Sequence, residues 1–260
     1  MSDPFGQIPI NYESHPWRVR LSGVGCSHTG KKRLTNQDRF YVNNGDQVFA
    51  VADGVGGMRF GERASDSAVK SLRMQMARNS GLCIEKLLSD MHRAVRIEAA
   101  QLTGSGSGIG TTITCLRNVG DCCEVGHVGD SRLFWIYEDG IIQLTEDHSV
   151  CYTPHQVGVV AEGVQPPKLT LSRTYLNRYL GQKGPLRPLI FNFRPRPGNM
   201  ILLCSDGISG LISPPELRAI IAASASNAKA VQALIASAES RGGPDNQTAV
   251  IVTCHTLAVD

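Results

Sequence analysis

Short apolar runs joined by tight turns are interrupted twice by a pair of amphipathic helical segments, and this order limits the fold more than any other feature of the chain. Val19, Leu21, Val24 and Cys26 lead into a basic turn at 29–33. Residues 40–42 and 48–52 read as strands joined by Asn43-Asn44-Gly45-Asp46, a hairpin signal. From 61 to 76 the apolar residues Ala64, Ala68, Leu72 and Met76 recur every four positions, and Leu87, Leu88, Met91 and Val95 repeat the pattern over 84–100, which predicts two helices. The Gly/Ser run 104–110 fits neither GxGxxG nor GxxxxGK[ST] and reads as the loop that ends them. Strands return at 111–116, 122–128, 133–137 and 141–144, with Glu138-Asp139-Gly140 as a turn. After a stretch from 147 to about 197 that reads as irregular come a strand at 200–204, helices at 214–223 and 228–240, and a last strand at 248–254. This is not the strict alternation of a doubly wound parallel sheet. The hairpin turns predict antiparallel sheets with the helix pairs packed outside them.

The 260 residues suit one large domain or two small ones, and at 42% hydrophobic and 19% charged they can bury a full core. With 26 Lys plus Arg against 23 Asp plus Glu, the net charge is only +3, which gives no electrostatic case for nucleic acid or an anionic membrane. No run approaches the roughly 18 to 20 apolar residues needed to span a bilayer, so no membrane insertion is expected. The first residues show no basic start followed by an apolar stretch, so no Sec-type signal is read and a cytoplasmic location is expected. Eight cysteines form no CxxC pair and no zinc-type Cys/His spacing; reduced, mostly buried thiols are expected.

Chemistry concentrates in aspartates at the ends of apolar runs: Asp53 after VFAVA, Asp130 after EVGHVG, Asp206 after MILLCS and Asp245 just before TAVIV. Strand ends in one sheet layer lie close together. Unpaired carboxylates gathered there would raise one another's pKa, and a bound cation is the usual remedy. An all-oxygen set without Cys or His suits Mg²⁺ or Mn²⁺. Glycine follows Asp53 and Asp206, where it permits φ > 0 and a close approach of the backbone carbonyl to a ligand. Arg33, in its basic turn with Lys31 and Lys32, is the type of residue that grips two oxygens of a phosphate.

These segments, in this order, resemble the PPM family of metal-dependent protein serine/threonine phosphatases, the type 2C phosphatases. The matching stretches are G30-x-x-R33-x-x-N36-Q37-D38, V51-A52-D53-G54-x-G56-G57, G110-T111-T112, V128-G129-D130-S131-R132, D147-H148-S149, C204-S205-D206-G207 and G243-x-D245-N246, spread over nearly the whole chain. The resemblance implies an α+β fold, a four-layer α/β/β/α sandwich of two antiparallel sheets flanked by helix pairs. It implies a leader at 1–18, a single catalytic domain at 19–257 and a flap-like irregular segment at about 150–180.

Carried over residue by residue, it implies two Mn²⁺ or Mg²⁺ ions. Asp53 would bridge them, Gly54 would add its carbonyl, and Asp206 and Asp245 would complete one ion, while Asp38 and Gln37 would hold metal-bound water. Asp130 with Asp206 would bind a third, weaker ion. Arg33 would bind the substrate phosphate and Asn246 would support the site by hydrogen bonds. The reaction implied is attack of a metal-bridging water on phosphoserine or phosphothreonine, with Asp53, Asp206, Asp245 and Arg33 as the catalytic set. Cys204 lacks the HCxxxxxR loop of cysteine phosphatases and is expected in the core. Gln37 stands where many members have Glu. Val55 stands where eukaryotic members place a histidine general acid, and His148 and His155 are alternative donors. Gln37 and Val55 have a bacterial look, which implies a phosphoprotein substrate, an opposing Ser/Thr kinase in signalling or control of a secretion apparatus, and a monomer. The alternative is a catalytically silent pseudophosphatase that binds or scaffolds phosphoproteins. A small phosphorylated metabolite is the further alternative as substrate.

Overall fold

Alternation along the strands sorts apolar side chains into three layers. The structure, a computed structural model, describes residues 18–55, 60–120, 122–152 and 173–257. In chain order the elements are β1 (Arg18–His28), β2 (Asp38–Asn43), β3 (Val48–Asp53), α1 (Gly61–Arg78), α2 (Ile84–Thr103), β4 (Ile113–Asn118), β5 (Cys123–Val128), β6 (Arg132–Tyr137) and β7 (Gly140–Gln143). They continue with β8 (Ser149–Tyr152), β9 (Arg173–Leu176), β10 (Leu189–Phe193), β11 (Met200–Cys204), α3 (Asp206–Ser209), α4 (Pro214–Ala222), α5 (Asn227–Ser240) and β12 (Gln247–Leu257). Two five-stranded sheets result, ordered β1-β12-β11-β6-β7 and β10-β5-β4-β3-β2, every pairing antiparallel.

Period two decides what each face meets. In β3, Phe49 and Val51 point between the sheets with Leu21, Leu116, Leu203 and Val250, while Val48, Ala50 and Ala52 point outward onto Leu72, Leu88 and Met91 of α1 and α2. In β11, Ile201 and Leu203 face the other sheet, and Leu202 and Cys204 face Leu217 and Leu234 of α4 and α5. The layers are therefore helix, sheet, sheet, helix, as expected.

Local chemistry sets the element ends. Asn43 Oδ1 accepts from Gly45 N (3.0 Å) and Asp46 N (2.9 Å), closing the β2–β3 turn. Ser213 and Glu216 form a capping box that starts α4 at Pro214, and Gly104, at φ 70°, ends α2.

Three corrections follow. The stretch from 147 to 197 is not irregular throughout: β8 and β9 pair with each other, and β10 completes the second sheet against β5. These are short segments, and Pro185, Pro188, Pro195 and Pro197 surround β10, an edge strand whose single partner lies far off in sequence. Asp206 opens a one-turn helix, α3, too short to leave a periodic trace. Arg18, assigned to the leader, is the first residue of β1 and pairs with Leu257. The rest of that leader, residues 153–172 of the expected flap, and His155 lie outside the described residues.

Phe49 is fully buried at the centre of the inter-sheet layer. Replacing it with alanine is expected to cost about 3 to 5 kcal/mol, read as a lowered urea midpoint without a change of slope.

Candidate active site

Asp38, at the start of β2, and Asp53, at the end of β3, are cross-strand partners. In an antiparallel pair such residues stand on one face with Cβ atoms about 5 Å apart. Asp206 begins α3 directly after β11, Asp245 lies two residues before β12, and Asp130 lies two residues after β5. The two sheets thus deliver five carboxylates to one end of the sandwich. Asp53 feels the charges of Asp38, Asp206, Asp130 and Asp245. A cavity of about 810 Å³ opens there, lined by Arg33, Gln37, Asp53, Gly54, Asp130, Asp206 and Asp245.

Burial and mutual repulsion hold these carboxyls up. Burial first, then the charges of Asp38 and Asp206, keeps Asp53 well above the ordinary carboxylate range. Burial and Asp245 raise Asp206. Asp130 is pushed up to about 7 by burial and then by Asp206 and Asp147, and Asp38 to about 6 by burial, even though Ser205 Oγ donates to its Oδ2 at 2.7 Å. Asp38 Oδ1 is buried without a hydrogen-bond partner, a state that a buried carboxylate oxygen rarely keeps.

The residues fit hard divalent cations. The donor set is all oxygen, its carboxyls resist ionising together, and one buried oxygen is left over. Among the described residues no three acidic, His or Cys side chains are drawn together closely enough to hold an ion as they stand, so the carboxylates form a looser cluster around Asp53.

The surrounding backbone is fixed by hydrogen bonds that cross the chain. Asn246 Oδ1 accepts from Gln37 N (2.8 Å), and its Nδ2 donates to the carbonyls of Thr29 (2.7 Å) and Thr35 (3.0 Å), pinning the loop that carries Arg33. Gln37 O accepts from Ser65 Oγ (2.6 Å) and Gly54 N (3.2 Å). Arg33 Nη2 donates to Asp245 Oδ2 at 2.7 Å, with both side chains partly exposed.

Glycine serves a different purpose from the one expected. Neither Gly54 nor Gly207 has a positive φ. A Cβ on Gly54 would lie 2.5 Å from the carbonyl of Gly61, and one on Gly207 would overlap the Asn246 carbonyl oxygen, so close backbone packing demands them. Gly129, before Asp130, is the aspartate neighbour with φ in the left-handed region, at 116°.

Several polar partners have no role assigned from the sequence, although Thr112, Ser131, Arg132, Asp147 and Ser205 lie in the matched motifs. Thr112 Oγ1 accepts from Asp53 N (2.9 Å) and bonds Ser131 Oγ (2.7 Å). Ser205 Oγ also accepts from Thr248 N (3.0 Å). Arg132 forks onto Asp147 (3.0 and 2.7 Å) and reaches the Ser209 carbonyl (3.3 Å). Tyr175 and Tyr179 line the cavity wall, and no spacing rule marks them. His148 is buried, with Nδ1 accepting from Gly129 N at 3.2 Å, and is not part of the cavity lining. Val55 does line it. Cys204 is buried with its thiol pushed up to about 12, so no thiolate is available there.

Asp38 and Asp130 release their protons at higher pH when folded than when unfolded, so each lowers stability progressively as pH rises from about 4 to about 7. Metal-free Asp38→Asn is therefore expected to match wild type near pH 4 and to exceed it by roughly 2 kcal/mol at pH 8, measured by urea unfolding with chelator present. An unchanged difference between the two pH values would remove Asp38 from the strained set.

Comparison with known proteins places this geometry in a family. The protein phosphatase 2C model matches residues 24–239. Protein phosphatase PhpP of Streptococcus pneumoniae is 29% identical over 234 residues, covering 87% of this chain and 94% of its own. PppA, described as a key regulatory component of the type VI secretion system (T6SS) in Pseudomonas aeruginosa, superposes with TM-score 0.72 at 26% identity, over 91% of this chain and 99% of that one. The catalytic domain of the serine/threonine protein phosphatase PstP, solved with two manganese ions, gives TM-score 0.70 at 27% identity, over 92% and 99%. The chain belongs to the protein phosphatase 2C family, the metal-dependent phosphoprotein phosphatases.

Proposed function

We propose that the chain hydrolyses phosphoserine and phosphothreonine in proteins, with water as the nucleophile. The observation that carries this is the convergence of Asp53, Asp130, Asp206 and Asp245 with Arg33 in one cavity, with Asp38 buried behind Asp53. Asp53, Gly54, Asp206 and Asp245 would hold two divalent cations with Asp38 and Gln37 beside them, and Asp130 with Asp206 a third. Such ions, when bound, lower the pKa of water and neutralise charge on phosphoryl oxygens.

The chain's own groups supply the rest. Arg33 bonds Asp245 through one nitrogen, and a guanidinium has five N–H donors, so donors remain for two phosphoryl oxygens. Ser205 orients Asp38, and Asn246 holds the Arg33 and Gln37 backbone at a fixed distance from Asp245. Val55 offers no proton and His148 Nδ1 is tied to Gly129 N, which favours solvent over either as the source of the leaving oxygen's proton. A phosphocysteine route is disfavoured by the buried, protonated Cys204. The same reading makes 19–257 one catalytic domain, with a flap-like segment at about 150–180. Its partners are a phosphoprotein and an opposing Ser/Thr kinase. All the ligand aspartates are retained, which favours turnover over a silent scaffold.

With p-nitrophenyl phosphate and a phosphothreonine peptide, metal-stripped protein should be inactive and millimolar Mn²⁺ should restore turnover. Asp206→Asn should remove that turnover while the circular-dichroism spectrum stays native. Folded, metal-loaded protein without turnover would leave the scaffold reading in its place. Arg33→Ala should raise KM for dianionic substrates about ten- to a hundredfold, the loss of charged hydrogen bonds, with a smaller change in kcat; an unchanged KM would take Arg33 out of phosphate binding.

A further inference from the structure

The loop that carries Arg33 presents three side chains that phosphate chemistry does not use. Leu34 is 100% exposed. Lys31 and Lys32 are exposed and, among the described residues, pair with no acidic group. Scattered exposed leucines are ordinary on protein surfaces, but this one sits beside a cavity-lining arginine on a loop that is firmly held.

The anchoring is extensive. Lys31 N and Lys32 N donate to the Gly243 carbonyl (2.9 and 3.3 Å), and Asn246 Nδ2 holds the Thr29 and Thr35 carbonyls on either side. Gly30, at φ 78°, sits so close to the Asp245 carbonyl that a Cβ would overlap it. The loop is seated on the turn at 243–246, and Leu34 is held outward. Of the acidic side chains on the elements supporting the loop, Asp245 is engaged by Arg33 at 2.7 Å, and Glu239, whose Oε1 is buried without a hydrogen-bond partner, pairs with neither lysine. Two cations with no acidic partner among the described residues, and one exposed apolar side chain, therefore flank Arg33, which lines the cavity.

We propose that Lys31, Lys32 and Leu34 form a docking rim that selects phosphoproteins carrying acidic residues and an apolar residue beside the phosphorylated one. This rests on the phosphatase reading of the cavity. Lysine ammonium groups on long stems act as mobile point charges, which suits acidic side chains at variable positions. Leu34 adds a contact whose favourable burial requires an apolar neighbour.

The Mn²⁺-loaded wild type, the double variant Lys31→Glu/Lys32→Glu, and Leu34→Ser are compared on p-nitrophenyl phosphate and three phosphothreonine peptides. One peptide carries flanking Asp and Leu, one has Ser for each Asp, and one has Ser for the Leu. The double variant should raise KM about tenfold for the acidic peptides alone, about 1.4 kcal/mol, and the effect should shrink at high salt. Leu34→Ser should raise KM only where the peptide has leucine. Turnover of p-nitrophenyl phosphate should be unchanged in both variants. Fluorescence anisotropy of the labelled peptides should follow the same order without relying on turnover.

Equal changes across all peptides would overturn the proposal. So would wild-type binding to phosphatidylserine vesicles that the variants lose while peptide KM stays constant, an outcome that assigns the rim to a membrane surface. Failure of the phosphatase reading shows itself separately, as absent p-nitrophenyl phosphate turnover in the wild type.

Discussion

Five carboxylates brought to one end of a β-sandwich repel one another, and the surrounding structure acts to hold them there. Asp53 is the centre of that repulsion, paired with Asp38 across the β2–β3 ladder and repelled by Asp206, Asp130 and Asp245. Raised carboxyl pKa values, an unpartnered Asp38 Oδ1 and the Arg33–Asp245 pair are three expressions of the same crowding. A site that relaxed this crowding with neutral residues would be more stable and would lose the charge that attracts cations. The strain and the chemistry thus have one source.

Holding charge in place requires a rigid frame, which comes from backbone contacts too close for side chains. Gly207 against Asn246, Gly54 against Gly61 and Gly30 against Asp245 lock three chain segments together at the aspartates. Thr112, Ser131 and Ser205 then satisfy the polar groups that this locking buries. Arg132 pairs with Asp147 in the segment before β8 and donates to the Ser209 carbonyl at the end of α3, so the cavity wall and the helix opened by Asp206 share one arginine.

Much of the fold could be read from periodicity because most elements bury one face. Ala64, Ala68, Leu72 and Met76 mark α1 in the sequence and are all buried in the structure. The pattern fails where an element has little to bury or a single distant partner. β10 is an edge strand of alternating half-buried and exposed residues among prolines, and α3 is one turn long. The glycines after Asp53 and Asp206 were legible as special, but the reason was not: a positive φ is a local property, whereas contact with Gly61 or Asn246 depends on where another segment runs.

The sequence by itself determined the secondary-structure order, the antiparallel character of the sheets and the identity of the aspartates, because hairpin turns, apolar period and strand-end position are encoded within a few residues of one another. Only the tertiary structure decided that Asp53, Asp130, Asp206 and Asp245 line one cavity and that Asp38 is buried beside Asp53. It also decided that Asn246 pins the Arg33 loop from more than two hundred residues away in the chain, that His148 serves the backbone of Gly129, and that Lys31, Lys32 and Leu34 are exposed beside the cavity-lining Arg33. Those facts depend on hydrogen bonds and packing between segments remote in sequence, and no local pattern records the distance across a sandwich.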